Sequence, residues 1–85
     1  MPIGAYDPNN NEFYIPSTLT VSTGKTVVWF NGDTAAHTVT STTNAFDSGN
    51  MASGATYQFA FNTTGSYDYY CTYHPFMKGA IVVQG

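Results

Sequence analysis

Cys71, His74 and Met77 follow one another at intervals of three residues within Tyr69-Tyr70-Cys71-Thr72-Tyr73-His74-Pro75-Phe76-Met77-Lys78-Gly79. A thiolate, an imidazole and a thioether are soft or borderline donors. They suit copper better than the hard cations, which take oxygen ligands. The only other histidine, His37, stands far upstream and completes a set of two His, one Cys and one Met. A centre that moves between cuprous and cupric states with little rearrangement needs donors acceptable to both: imidazoles, a covalent thiolate and a weak axial thioether. In that scheme His37, Cys71 and His74 form a trigonal plane and Met77 takes the long axial position. The chemistry expected is one-electron transfer at one copper ion.

Each residue alone has a plainer reading. A single unpaired Cys is often a small buried hydrophobe, a lone His is usually structural, and Met77 alone would fill core. It is the joint spacing that points to a metal. Zinc accepts Cys and His, but structural zinc sites usually carry more thiolates and catalytic ones hold a water that a Met replaces poorly. A Cys-His nucleophile pair lacks an evident orienting Asn or Asp and an oxyanion arrangement. Two further alternatives stay open: a copper site whose axial position holds water and admits a small molecule such as a nitrogen oxide, and a metal-free structural sandwich.

The frame that must carry these donors is small. Eighty-five residues are expected to make a single domain, 1–85, near the size where folding buries only about 60% of the extended chain's surface. Aromatic residues at 16% supply large buried area from few positions, and one cysteine excludes an internal disulfide. A bound metal can act as the missing staple. Charged residues are 8% of the chain, with Lys25 and Lys78 the only cations and a formal net charge of −3. No basic patch exists to neutralise phosphates, so nucleic acid is not an expected partner. No stretch of 18 apolar residues suggests a membrane span, and no basic start followed by an apolar run suggests a leader.

Short β-branched and aromatic runs separated by turn formers predict an all-β sandwich with no helix. Ile3–Tyr6 reads as a first strand ending at Asp7-Pro8-Asn9-Asn10-Asn11, and Glu12–Pro16 as an edge or bulged segment because Pro16 cannot donate a ladder bond. Thr18–Val21 and Thr26–Phe30 look like a hairpin joined by Ser22-Thr23-Gly24-Lys25. His37–Thr43 reads as a strand that starts at His37, and 44–54 as a long turn-rich segment. Tyr57, Phe59 and Phe61 alternate with polar or small residues, predicting a half-buried strand. Tyr67, Tyr69 and Cys71 share one parity, as do Met77, Gly79, Ile81 and Val83, which turns Cys71 and Met77 toward the aromatic face. Tyr67, after Gly65-Ser66, fits a tyrosine whose hydroxyl pins a chain corner.

Beyond the cysteine loop, the chain carries Phe13-Tyr14-Ile15-Pro16, Leu19-Thr20-Val21, Gly24, Val28-Trp29, Asn31, Phe46-Asp47-Ser48-Gly49, Gly54, Gly65 and Tyr67 in that order. With His37 and the Cys71–Met77 loop, this pattern resembles the cupredoxins, the small blue-copper proteins, in their amicyanin- and plastocyanin-like branch. The resemblance implies a Greek-key sandwich of about eight strands, one type 1 copper, and electron carriage rather than enzyme activity. It also implies a periplasmic or other extracytoplasmic setting, with a membrane tether in a full-length form possible. In that family the second histidine reaches the surface through an apolar patch. Here His74 would lie among Ala35, Ala36, Tyr73, Pro75 and Phe76, where redox partner proteins would dock on a monomer. Two positions depart from the family pattern. Thr38 stands where Asn is common after the first His, so the link between ligand loops must be remade by a hydroxyl or lost. Tyr73 replaces a common Pro and brings a backbone N–H that is expected to reach the Cys71 sulfur and raise the reduction potential.

Overall fold

The computed structural model describes residues 1, 4–7, 13–14 and 17–85. Six strands form among them: β1 (Thr18–Ser22), β2 (Lys25–Phe30), β3 (Thr40–Ser41), β4 (Thr56–Phe61), β5 (Gly65–Tyr70) and β6 (Lys78–Gln84). One sheet has the order β1-β6-β5-β3 and the other pairs β2 with β4. β1 runs parallel to β6, whereas β6–β5, β5–β3 and β2–β4 are antiparallel. The chain changes sheet at each step from β1 to β5, and β6 then enters between β1 and β5, so the fold is an all-β Greek-key sandwich. Among the described residues six strands stand where about eight were expected, and the segments on either side of β3 make isolated bridges in place of further strands, His37 to Met51 and Thr40 to Asp47.

Strand period places the core. On β2, Val27 and Trp29 face inward while Val28 and Phe30 face solvent, and β5 and β6 turn Tyr69, Ile81 and Val83 inward by the same alternation. Trp29 sits at the middle, with the rings of Phe46, Tyr57, Phe61 and Tyr69 at centroid distances of 5.6–6.3 Å. Such pairs contribute about 0.5–1.5 kcal/mol each beyond the area they bury. Tyr69 lies opposite Gly79 in the β5–β6 register, and its ring occupies the space a side chain at 79 would need.

Several sequence-based expectations are corrected. β1 and β2 do not form a hairpin; they belong to different sheets, and Thr23-Gly24 is the corner between them. Gly24 has φ +86°, and the corner is held by N–H bonds from Thr23 to Gln84 and from Gly24 to Phe61. Local turn residues announce a chain reversal but do not say whether the next strand pairs with the last. Gly4–Tyr6 form a turn rather than a strand, closed by the Asp7 N–H on the Gly4 carbonyl at 2.9 Å. Ile3, Pro8–Glu12, Ile15 and Pro16 lie outside the described residues. The expected strand 37–43 contracts to Thr40–Ser41. Tyr67 donates its hydroxyl to the Thr63 carbonyl at 2.9 Å, pinning the β4–β5 turn as expected.

Candidate metal centre

Two loops at one end of the sandwich present the donors. His37 is held by a two-way backbone pairing with Met51, N–H to O at 3.0 Å and 2.8 Å. The second loop leaves β5 at Cys71 and enters β6 after Met77. It is closed by hydrogen bonds from the Cys71 N–H to the Met77 carbonyl, 3.1 Å, and from the Met77 N–H to the His74 carbonyl, 2.9 Å. Sheet on both sides pins this loop, and a short closed loop has little room to rearrange.

His37, Cys71 and His74 converge, their donor atoms all within 4.8 Å of one another. The Cys71 sulfur is 3.6 Å from Nδ1 of His37 and 3.8 Å from Nδ1 of His74. Donors about 2.0–2.3 Å from a shared ion and disposed trigonally stand about 3.8 Å apart, so these separations fit one metal ion between them. His37 and Cys71 are fully buried and His74 is half-buried. Met77, the fourth expected donor, is also fully buried, and its backbone is bonded to Cys71. One thiolate converging with two imidazoles is a donor chemistry that copper fits.

Thr38 remakes the tie between the loops. Its Oγ1 accepts the Thr72 N–H at 2.8 Å and lies 3.0 Å from the Thr40 hydroxyl and 3.3 Å from that of Thr72. Its own N–H reaches the Cys71 sulfur at 3.4 Å. The sulfur therefore takes its backbone hydrogen bond from Thr38 and not, as expected, from Tyr73. The loop carries Tyr73 outward, where it is 50% exposed and donates its hydroxyl to Oδ1 of Asn50 at 2.9 Å. Below this, Tyr14 donates its hydroxyl to the Thr38 carbonyl at 2.8 Å. Burial, reinforced by negative charge on Cys71 and Tyr69, pushes the Tyr14 phenol well above its ordinary value.

Sequence reasoning missed Asp33. Its carboxylate is fully buried, and Oδ2 lies 2.6 Å from Nε2 of His37. Oδ1 accepts N–H bonds from Gly4 at 3.0 Å and Thr34 at 2.7 Å, and Oδ2 accepts one from Tyr6 at 3.2 Å. Burial alone would push this carboxyl up. The bonds from His37 and from the Gly4, Thr34 and Tyr6 backbone outweigh it and hold the group down at about 2, from an ordinary 3.8. Asn31, also buried, orders the same segment: Nδ2 donates to the carbonyls of Ala35 and Met51, and Oδ1 accepts the Asp33 N–H. The one available signal was a carboxylate four residues before the first His in a chain poor in charge.

The Phe76 ring lies 5.9 Å from that of His74. Ala35 and Ala36 are half-buried, Pro75 is exposed, and Phe76, 36% exposed, packs edge-on against Phe13 with centroids 5.2 Å apart. No helix among the described residues is long and apolar enough to cross a membrane.

A family profile described as copper binding proteins, plastocyanin/azurin family, matches residues 6–84. Amicyanin of Paracoccus versutus is 38% identical over 76 residues, covering 84% of this chain and 58% of that protein. The chain thus spans under two thirds of this relative's length. Plastocyanin of Scenedesmus fuscus is 33% identical over 82 residues, covering 81% of this chain and 84% of that protein. Among solved structures, a purple cupredoxin from Nitrosopumilus maritimus superposes with a TM-score of 0.92 at 32% identity, covering 98% of this chain and 94% of the other.

Proposed function

Because this chain belongs to the plastocyanin/azurin family of copper-binding proteins and its cofactor is one copper ion, we propose that it is an electron carrier whose metal is held by His37, Cys71, His74 and Met77. The observation that carries this reading is the convergence of two imidazole nitrogens and one thiolate sulfur within 4.8 Å of one another. Bound copper supplies a one-electron couple between its cuprous and cupric states. The protein's part is to hold the donors still. Cys71 and Met77 are joined through the backbone, Thr38 ties their loop to that of His37, and Met51 clamps His37 by two hydrogen bonds. A site held this way changes little in shape when the charge changes.

His74 is the only one of the four donors that is not buried. In this reading the electron enters and leaves through its edge, and a partner protein docks on Ala35, Ala36, Tyr73, Pro75 and Phe76. The chain works as a monomer outside the cytoplasm, in a periplasmic or similar compartment, and performs no catalysis of its own.

The test is to add one equivalent of Cu(II) to the metal-free protein and record visible and electron paramagnetic resonance spectra of the same sample. An intense thiolate-to-copper absorption with narrow copper hyperfine splitting, insensitive to azide or nitrite, is expected. Spectra that shift with those anions would replace the carrier with an open copper site. No thiolate absorption at all would remove Cys71 from the centre.

A further inference from the structure

No lysine or arginine balances Asp33; the cation that feels its charge is the Met1 amino group, which donates a hydrogen bond to the Phe30 carbonyl and makes none to the carboxylate. The chain's two basic side chains, Lys25 and Lys78, are exposed on β2 and β6. A fully buried carboxylate is costly unless its oxygens are satisfied. Here they are satisfied by three backbone N–H groups and one ring nitrogen, Nε2 of His37 at 2.6 Å. Two of those N–H groups, from Gly4 and Tyr6, lie far from Asp33 in sequence and close over it as a turn, with Ala5 between them fully buried. A neutral backbone carbonyl at this place would accept the same ring proton without the cost of burying a charge. The charge itself therefore calls for an explanation at the metal centre.

Resting on the copper reading above, we propose that Asp33 is a positioning residue of the centre: it keeps the proton of His37 on Nε2, so that Nδ1 faces the metal beside Cys71, and it sets a buried negative charge behind the ligand that lowers the reduction potential. A carboxylate this close to Nε2 accepts the ring proton, and a neutral imidazole then has its lone pair on Nδ1, the atom 3.6 Å from the Cys71 sulfur. Groups hydrogen-bonded to a ligating histidine orient the ring and raise its basicity. A more basic ligand with an anion behind it favours the higher charge on the metal. Reduction adds an electron to a region already holding the Cys71 thiolate and the Asp33 carboxylate, so it becomes less favourable.

The Asp33→Asn variant keeps an oxygen acceptor and removes the charge. Its thiolate absorption should persist, while the ratio of Cu(I) to Cu(II) affinity rises at least about tenfold, seen as a potential higher by about 59 mV or more for one electron. An unchanged or lower potential in a variant with intact absorption overturns the assignment. Should Asp33→Asn fail to fold, nitrogen-15 NMR of the unmodified Cu(I) protein decides instead. A His37 Nε2–H resonance that is far downfield and protected from exchange supports the proposal, and an unprotonated Nε2 overturns it. Absence of any thiolate absorption on copper addition would instead refute the carrier reading, and the same resonance, read in the metal-free protein, would still decide whether Asp33 fixes the His37 tautomer.

Discussion

Thr38 is a short side chain asked to hold two loops together. Its Oγ1 accepts the Thr72 N–H, and Thr40 adds a second hydroxyl at 3.0 Å. Replacing it with Val keeps the shape but takes the acceptor from the part-buried Thr72 N–H, at a cost of about 0.5–1.5 kcal/mol. Urea unfolding of the metal-free protein should show that loss for Thr38→Val and little loss for Thr38→Ser, and copper should dissociate faster from the Val variant. Tyr14 offers a test by pH. Its phenol is raised in the folded state, chiefly by burial. A group bound more tightly to its proton when folded contributes nothing extra below the unfolded value of about 10 and penalises the folded state as pH climbs past it. Stability should therefore begin to fall above about pH 10, and Tyr14→Phe should flatten that fall while costing about 0.5–1.5 kcal/mol at neutral pH for the lost bond to Thr38. Stability measured by denaturant at pH 7 and pH 11 checks both.

The β5–β6 pair is the element that delivers three of the four proposed ligands, since Cys71, His74 and Met77 all lie on the connection between these strands. Its packing depends on Gly79 at a single register position. A Cβ there would stand 2.5 Å from Cζ and Oη of Tyr69, whose ring is 2% exposed and wedged between Tyr14 and Trp29. The ring cannot withdraw, so the strands must part. Gly79→Ala should destabilise the protein by about 1–3 kcal/mol, the usual cost of overpacking, and because Met77 is only two residues away the visible spectrum of the copper form should change as well. Thermal unfolding and absorption spectra of that variant, beside Gly85→Ala as a control whose nearest neighbour is 3.8 Å away, separate crowding from a general effect of adding a methyl.

At the scale of the whole molecule, an 85-residue chain whose only cysteine is a free thiol has no covalent staple. In the proposed centre the metal would join the two loops, and a ligand present at 100 times its dissociation constant stabilises by about 2.7 kcal/mol. Melting temperature should therefore rise on the order of 10 °C or more on loading with Cu(I). His37→Ala should abolish most of that rise, because it unhooks one loop from the ion. Calorimetry of loaded and metal-free protein provides the comparison.

The proposed donors could be named without coordinates because they are a matter of residue type and local spacing: Cys71, His74 and Met77 must share one loop wherever that loop goes, and His37 is the only other imidazole. Strand parity was legible for the same reason, since alternation alone sends Tyr69, Ile81 and Val83 to one side of their strands. What tertiary structure decided were the contacts between segments distant in sequence. The turn at Thr23-Gly24 looks the same whether it folds β2 back onto β1 or carries it to the other sheet, and only pairing with β6 and β4 selects the second. Thr38 could be seen to depart from the family pattern, but not that the Thr72 N–H would come within 2.8 Å of it. In the chain Asp33 is one of three turn formers, Asn31-Gly32-Asp33, that follow β2. A carboxylate becomes a buried partner of His37 only when the N–H groups of Gly4 and Tyr6 close over it, and hydrogen bonds spanning 29 and 27 residues leave no periodic trace in the chain.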